Sequence, residues 1–106
     1  MSNLLFVCSK NQWRSPTAEL LFKNHALHTA KSAGTGSTAR IKINQKLINW
    51  ANIIYVMERK HKELLHLKFP DGIKTKEIIV LNIQDKYKFG DPELTQRLKT
   101  ALAEHL

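Results

Sequence analysis

The sequence predicts an α/β domain, doubly wound, with a four-stranded parallel sheet and helices on both faces. Three observations carry that reading. Leu4–Cys8, Ile53–Met57 and Ile78–Leu81 are short apolar runs without polar alternation, the pattern of strands buried on both faces. The stretches between them repeat apolar residues at helical spacing. Strand and helix then alternate along the chain, and right-handed crossovers between such elements give a parallel sheet.

In chain order, Leu4–Cys8 is the first strand, and Ala18, Leu21, Phe22 and Ala26 share one face of the helix that follows. Lys31–Thr35 is the second strand, although Ser32-Ala33-Gly34 offers little β-branched surface to pack. Leu47, Ile48 and Ala51 mark the next helix, and Ile53–Met57 the third strand. Arg59-Lys60-His61-Lys62 reads as a solvated helix start. The run beginning at Ile78 continues to Ile83 as the last strand, and Leu94, Leu98, Ala101 and Leu102 form the apolar stripe of a closing helix.

Composition narrows the function. A chain of 106 residues with 42% apolar content supports one core, so residues 1–106 are expected to form one domain. The formal charge of +8 favours an anionic partner. No apolar stretch approaches the roughly 18 residues that cross a bilayer, so no membrane partner is expected. The opening residues lack the features of a signal peptide, and a single cysteine cannot form an internal disulfide, which suits a reducing cytoplasm. The basic run at Arg59 has no interleaved aromatics, so nucleic acid is not the expected anion. His25 and His28 are spaced for a metal but lack further ligands, and they read as surface residues.

In open parallel sheets ligands sit beyond the carboxyl ends of the strands. The first strand ends at Cys8, and Ser9-Lys10-Asn11-Gln12-Trp13-Arg14-Ser15-Pro16 leads straight into a helix. Loop amides closing on a helix N-terminus make a cradle for a tetrahedral anion. The same field favours the thiolate of Cys8. Arg14 adds a planar fork that takes two phosphate oxygens together, and Ser15 can donate to the sulfur. Ser15 and Pro16 also suit the N-cap and first turn of the helix. A buried cysteine alone is usually only a core residue. With an arginine six positions on, a serine next to it and a strand and helix flanking, the combined pattern points to phosphate chemistry.

The stretch Val7-Cys8-Ser9-Lys10-Asn11-Gln12-Trp13-Arg14-Ser15-Pro16-Thr17-Ala18-Glu19 resembles the signature of low-molecular-weight protein tyrosine phosphatases. Ser32-Ala33-Gly34-Thr35 and Ile54-Tyr55-Val56-Met57 are similar to that family's second and third strands, and the chain looks closest to a compact branch of the group. The resemblance implies that Cys8 is the nucleophile, Arg14 the phosphate-binding arginine, Ser15 the hydroxyl that stabilises the thiolate, and Asn11 the residue that holds the loop's shape. It also puts Ser9, Lys10, Gln12 and Trp13 in the phosphate-binding loop. Lys10 stands where the family has glycine, and would store strain if that position needs positive φ. Trp13 replaces a second cysteine, so an intraloop disulfide cannot form. Ser9 and Gln12 replace apolar residues that line the family's ring slot.

The family's general acid lies in an Asp-Pro-Tyr segment after the last strand. Asp85-Lys86-Tyr87 resembles that segment, with lysine for proline, and makes Asp85 the first choice and Tyr87 a wall for a substrate ring. Asp91, which carries the Asp-Pro dipeptide, is the alternative acid, though Asp91-Pro92-Glu93 also reads as a helix cap. Arg40 reads as a solvated arginine near the mouth. The expected activity is hydrolysis of a phosphotyrosine protein or small phosphomonoester through a cysteinyl-phosphate intermediate, releasing inorganic phosphate, with no metal or cofactor. An arsenate reductase of the same fold is the alternative enzyme, but its cysteine cascade needs further thiols. A non-catalytic phosphate- or phosphoprotein-binding module is the alternative outside enzymes.

Overall fold

The structure is a computed structural model that describes residues 2–105. Four strands and four helices alternate: β1 (Ser2–Cys8), α1 (Arg14–Leu21), β2 (His28–Gly34), α2 (Gln45–Trp50), β3 (Ile53–Val56), α3 (Arg59–Lys68), β4 (Glu77–Val80) and α4 (Pro92–Ala103). All the pairings are parallel and the strand order is β2-β1-β3-β4. The doubly wound sheet is therefore the one the apolar runs predicted.

Each central strand feeds two cores, which is why its sequence does not alternate. Leu4, Phe6 and Cys8 of β1 join Tyr55, Ala18 of α1 and Leu94, Leu98 and Leu102 of α4 on one face. Leu5 and Val7 join Ile54, Val56, Ile48 of α2 and Leu65 of α3 on the other. With both faces covered, every position of the run is buried apolar surface.

Several element ends differ from the sequence reading: β1 begins at Ser2, and β4 spans Glu77–Val80 and does not continue to Ile83. The first helix stops at Leu21, and the chain turns through Asn24 at φ 62°, so Ala26 is exposed beyond the helix rather than on its apolar face. β2 begins at His28, earlier than its apolar part suggests. It is an edge strand, paired only with β1, and its first four residues gain backbone bonds without needing apolar side chains. Among the described residues no helix is long and apolar enough to cross a membrane.

The strand order fixes where a site can form. The chain leaves β1 toward β2 on one side, then crosses back to β3 on the other. The loops after β1 and β3 diverge at this reversal and leave a crevice at the carboxyl edge of the sheet. Cys8 and Glu58 stand at its two lips.

Candidate active site

The loop after β1 is held from outside by its carbonyls. The N–H groups of Thr35 and Gly36 donate to the carbonyls of Cys8 and Ser9, both at 2.9 Å, and the N–H of Arg40 donates to Lys10 at 3.0 Å. Arg40 Nε donates to the Asn11 carbonyl, also at 3.0 Å. In a trans peptide the N–H points opposite to the carbonyl. The amides that follow these carbonyls therefore face away from the clamping segment, and the N–H of Asn11 reaches Cys8 Sγ at 3.2 Å. Arg40, expected to be merely solvated, is a clamp of the loop.

Gly34 allows that clamp to close. A Cβ there would stand 2.5 Å from the Ser9 carbonyl oxygen and 2.7 Å from Ala39 Cβ, inside any real contact distance. Asn11 takes φ 56°, the left-handed conformation that asparagine tolerates. Lys10 is not among the described residues with positive φ, so the strain considered for it does not arise.

A chain of side chains then sets the proton at Cys8. Glu19 accepts from Ser32 Oγ at 2.6 Å, because a carboxylate can only accept. Ser32, its proton spent, accepts from Asn11 Nδ2 at 2.9 Å, and the second hydrogen of that amide goes to Ser15 Oγ at 2.8 Å. Ser15 is left with its own proton, and Cys8 Sγ lies 3.0 Å away. Ser15 is not the helix cap: Trp13 occupies that position without a side-chain bond, and the Ser15 hydroxyl serves the sulfur instead.

Arg14 is only 2% exposed. Its Nη1 donates to Glu58 Oε2 at 2.5 Å and to the Ile83 carbonyl at 2.9 Å, and its Nε lies 3.6 Å from Asp85 Oδ1. Arg14 also lines the small pocket beside Cys8. Partial burial works against the Glu58 carboxylate, but the bond and charge of Arg14, aided by Lys60, hold it below the usual carboxylate range.

Glu58 and His61 are site residues that the sequence reading missed. His61, expected on a solvated helix start, is fully buried. Its Nδ1 accepts from the Glu58 N–H at 3.0 Å, so the ring proton is on Nε2, which donates to Ser9 Oγ at 2.9 Å. Burial, then the charge of Arg14, push His61 down to about 4, against the opposing pull of Glu58. The imidazole is neutral near pH 7, and α3 grips Arg14 and the loop together. The signal for both residues was their place just past β3, at the reversal in strand order.

A small cavity of about 30 Å³ is lined by Cys8, Lys10, Gln12, Trp13, Arg14 and Asp85. Asp85 is half exposed on its rim. Asp91 is elsewhere, capping α4 by accepting from the N–H groups of Glu93 at 2.8 Å and Leu94 at 3.3 Å. Tyr87 does not wall the cavity. Its ring is buried in the core with Phe6, Leu94 and Leu98, where apolar contact outweighs what the rim could offer. Trp13 is the aromatic side chain that lines the mouth. His25 and His28 stack at 5.1 Å with no third metal-ligating side chain among the described residues.

The sequence pattern of the family described as low molecular weight phosphotyrosine protein phosphatase matches residues 3–53. No match is found among curated protein sequences. Solved structures share the fold over nearly the whole chain. The tyrosine phosphatase Wzb from Escherichia coli K30 in complex with phosphate is 21% identical, with a TM-score of 0.76 over 98% of this chain and 96% of its own. The low molecular weight protein tyrosine phosphatase from T. tengcongensis is 21% identical, with a TM-score of 0.75 over 100% of each chain. The YwlE arginine phosphatase from Geobacillus stearothermophilus is 22% identical, with a TM-score of 0.70 over 100% of this chain and 98% of its own. A family pattern over residues 3–53 that contains the loop signature, and a fold shared along the whole chain, are what this protein has in common with the low molecular weight phosphotyrosine protein phosphatases.

Proposed function

We propose that this protein is a cysteine-dependent phosphatase that hydrolyses phosphomonoesters, with phosphotyrosine on a protein as the substrate class, through a cysteinyl-phosphate intermediate. The observation that carries this reading is a single cavity lined by a thiol nucleophile, a guanidinium anchored from behind and a half-exposed carboxyl group. Cys8 Sγ attacks phosphorus in line, and the phosphorus–oxygen bond to the leaving group breaks as Asp85 gives that oxygen its proton. Arg14 and the loop amides hold the equatorial oxygens throughout. Water then attacks the phosphocysteine, Asp85 takes its proton, and inorganic phosphate leaves as the thiolate is restored. Each step is written with side chains and backbone amides of this chain and water.

Wzb of E. coli K30, with the same fold, holds phosphate. Exposed Trp13 at the mouth suits an aromatic leaving group. A nucleophile that works as a free thiol suits the reducing cytoplasm. The test is phosphate release from p-nitrophenyl phosphate and from peptides bearing phosphotyrosine, phosphoserine or phosphoarginine. Turnover by the wild type that is greatest on phosphotyrosine and absent in Cys8→Ser supports the reading. Equal turnover in Cys8→Ser overturns the mechanism, and preference for phosphoarginine overturns the substrate class.

A further inference from the structure

The cavity over Cys8 has room for a phosphoryl group and little more, so the rest of any substrate must lie outside it. A much larger groove, about 690 Å³, adjoins it and shares Gln12 as a wall. That volume is in the range of true ligand sites. The groove runs along α1 and the start of β2, and nothing in the chemistry derived above uses it.

Its lining has a definite character. Lys23 and Arg40 are exposed in it, and the His25 and His28 rings stack beside them. His25 Nδ1 accepts from the N–H groups of Leu27 and His28, which turns its other nitrogen outward as a donor. The one carboxylate in the wall, Glu19, is engaged by Ser32. Two large apolar side chains, Leu20 and Phe89, are 48% and 53% exposed in the same wall. A cationic, part-apolar trough beside a phosphate site fits an extended peptide carrying both acidic and apolar side chains, and the net charge of +8 would draw such a segment in.

We infer that this groove binds the polypeptide that flanks the phosphorylated residue, and selects segments in which acidic side chains lie next to it. The inference rests on the phosphatase reading and names the surface by which a protein substrate would be chosen. Arg40 also clamps the phosphate loop, so it is not the residue to change; Lys23 and Leu20 line the groove and not the small cavity.

The experiment compares kcat/KM for p-nitrophenyl phosphate, which carries no flanking peptide, with that for two phosphotyrosine peptides of one length, flanked by Glu and Leu or by Lys and Ser. The acidic peptide should be favoured by roughly tenfold at low salt, with the preference shrinking as ionic strength rises. Lys23→Glu and Leu20→Ser should each raise KM for the acidic peptide roughly fivefold or more and leave p-nitrophenyl phosphate turnover unchanged. Equal kcat/KM for the two peptides would overturn the inference while the phosphatase reading stands. So would variants that slow p-nitrophenyl phosphate and peptide alike. Failure to hydrolyse p-nitrophenyl phosphate at all would overturn the underlying reading, and the inference with it.

Discussion

Acidification should loosen this protein through His61 before it reaches most carboxylates. The imidazole is buried at the junction of α3 and the phosphate loop, facing Arg14, Glu58, Lys60 and Asp85, and its pKa lies near 4 instead of the usual 6.5. A second proton must enter at Nδ1, which accepts from the Glu58 N–H. Two donors would then face each other across 3.0 Å. Because the folded pKa is depressed, the folded state binds fewer protons than the unfolded chain, so this stability is present above about pH 6.5 and drains as pH falls toward 4. Between pH 7.5 and 4.5 the loss from His61 alone comes to about 2.5 kcal/mol, or a melting temperature lower by roughly 10 °C in a domain of this size. His61→Asn keeps an acceptor for the Glu58 amide and cannot titrate. Urea denaturation at the two pH values should therefore show the wild type losing about 2.5 kcal/mol more than the variant. Proton NMR of the imidazole gives the midpoint directly. Equal pH sensitivity in the two proteins, or a midpoint near 6.5, would refute the buried neutral imidazole.

Other perturbations separate the remaining roles. Arg14→Lys keeps the charge but loses the fork that bonds Glu58 and Ile83 on one side and phosphate on the other, and kcat should fall by about 10²–10³ with phosphate affinity reduced; steady-state kinetics and phosphate inhibition check this. Asp85→Asn should slow hydrolysis of alkyl-substituted phenyl phosphates by about 10²–10⁴ and that of p-nitrophenyl phosphate far less, at unchanged melting temperature. Asp91→Ala should cost about 1 kcal/mol of stability and leave the leaving-group dependence as in the wild type. Gly34→Ala should abolish turnover and destabilise by about 1–3 kcal/mol, with Gly36→Ala milder because its Cβ would stand 3.1 Å from the Ser9 oxygen; melting and phosphate release read both. Peroxide should inactivate the enzyme beyond rescue by thiol added late, since the chain has one cysteine and no partner to trap a sulfenic acid as an internal disulfide.

The architecture and the chemical loop could be read from one dimension because both are written in contiguous residues. Strands covered on two faces must be apolar throughout, so Leu4–Cys8 and the run from Ile53 declared themselves. The phosphate loop must connect a strand to a helix, so Cys8, Asn11, Arg14 and Ser15 stand within one turn of chain at fixed spacing. The helix cap at Asp91 was visible as well, since Pro92 and Glu93 mark it locally. Tertiary structure decided whatever depends on elements far apart in sequence. Glu58 is 44 residues from Arg14 and His61 is 52 from Ser9, and only the reversal of strand order between β1 and β3 brings their loops together. Within its own segment His61 looks like one more charged residue of a solvated helix start. The buried site for Tyr87 and the loop-facing position of Arg40 were hidden for the same reason. Periodicity and local spacing record which face of its own element a side chain occupies, but not which distant element comes to cover that face.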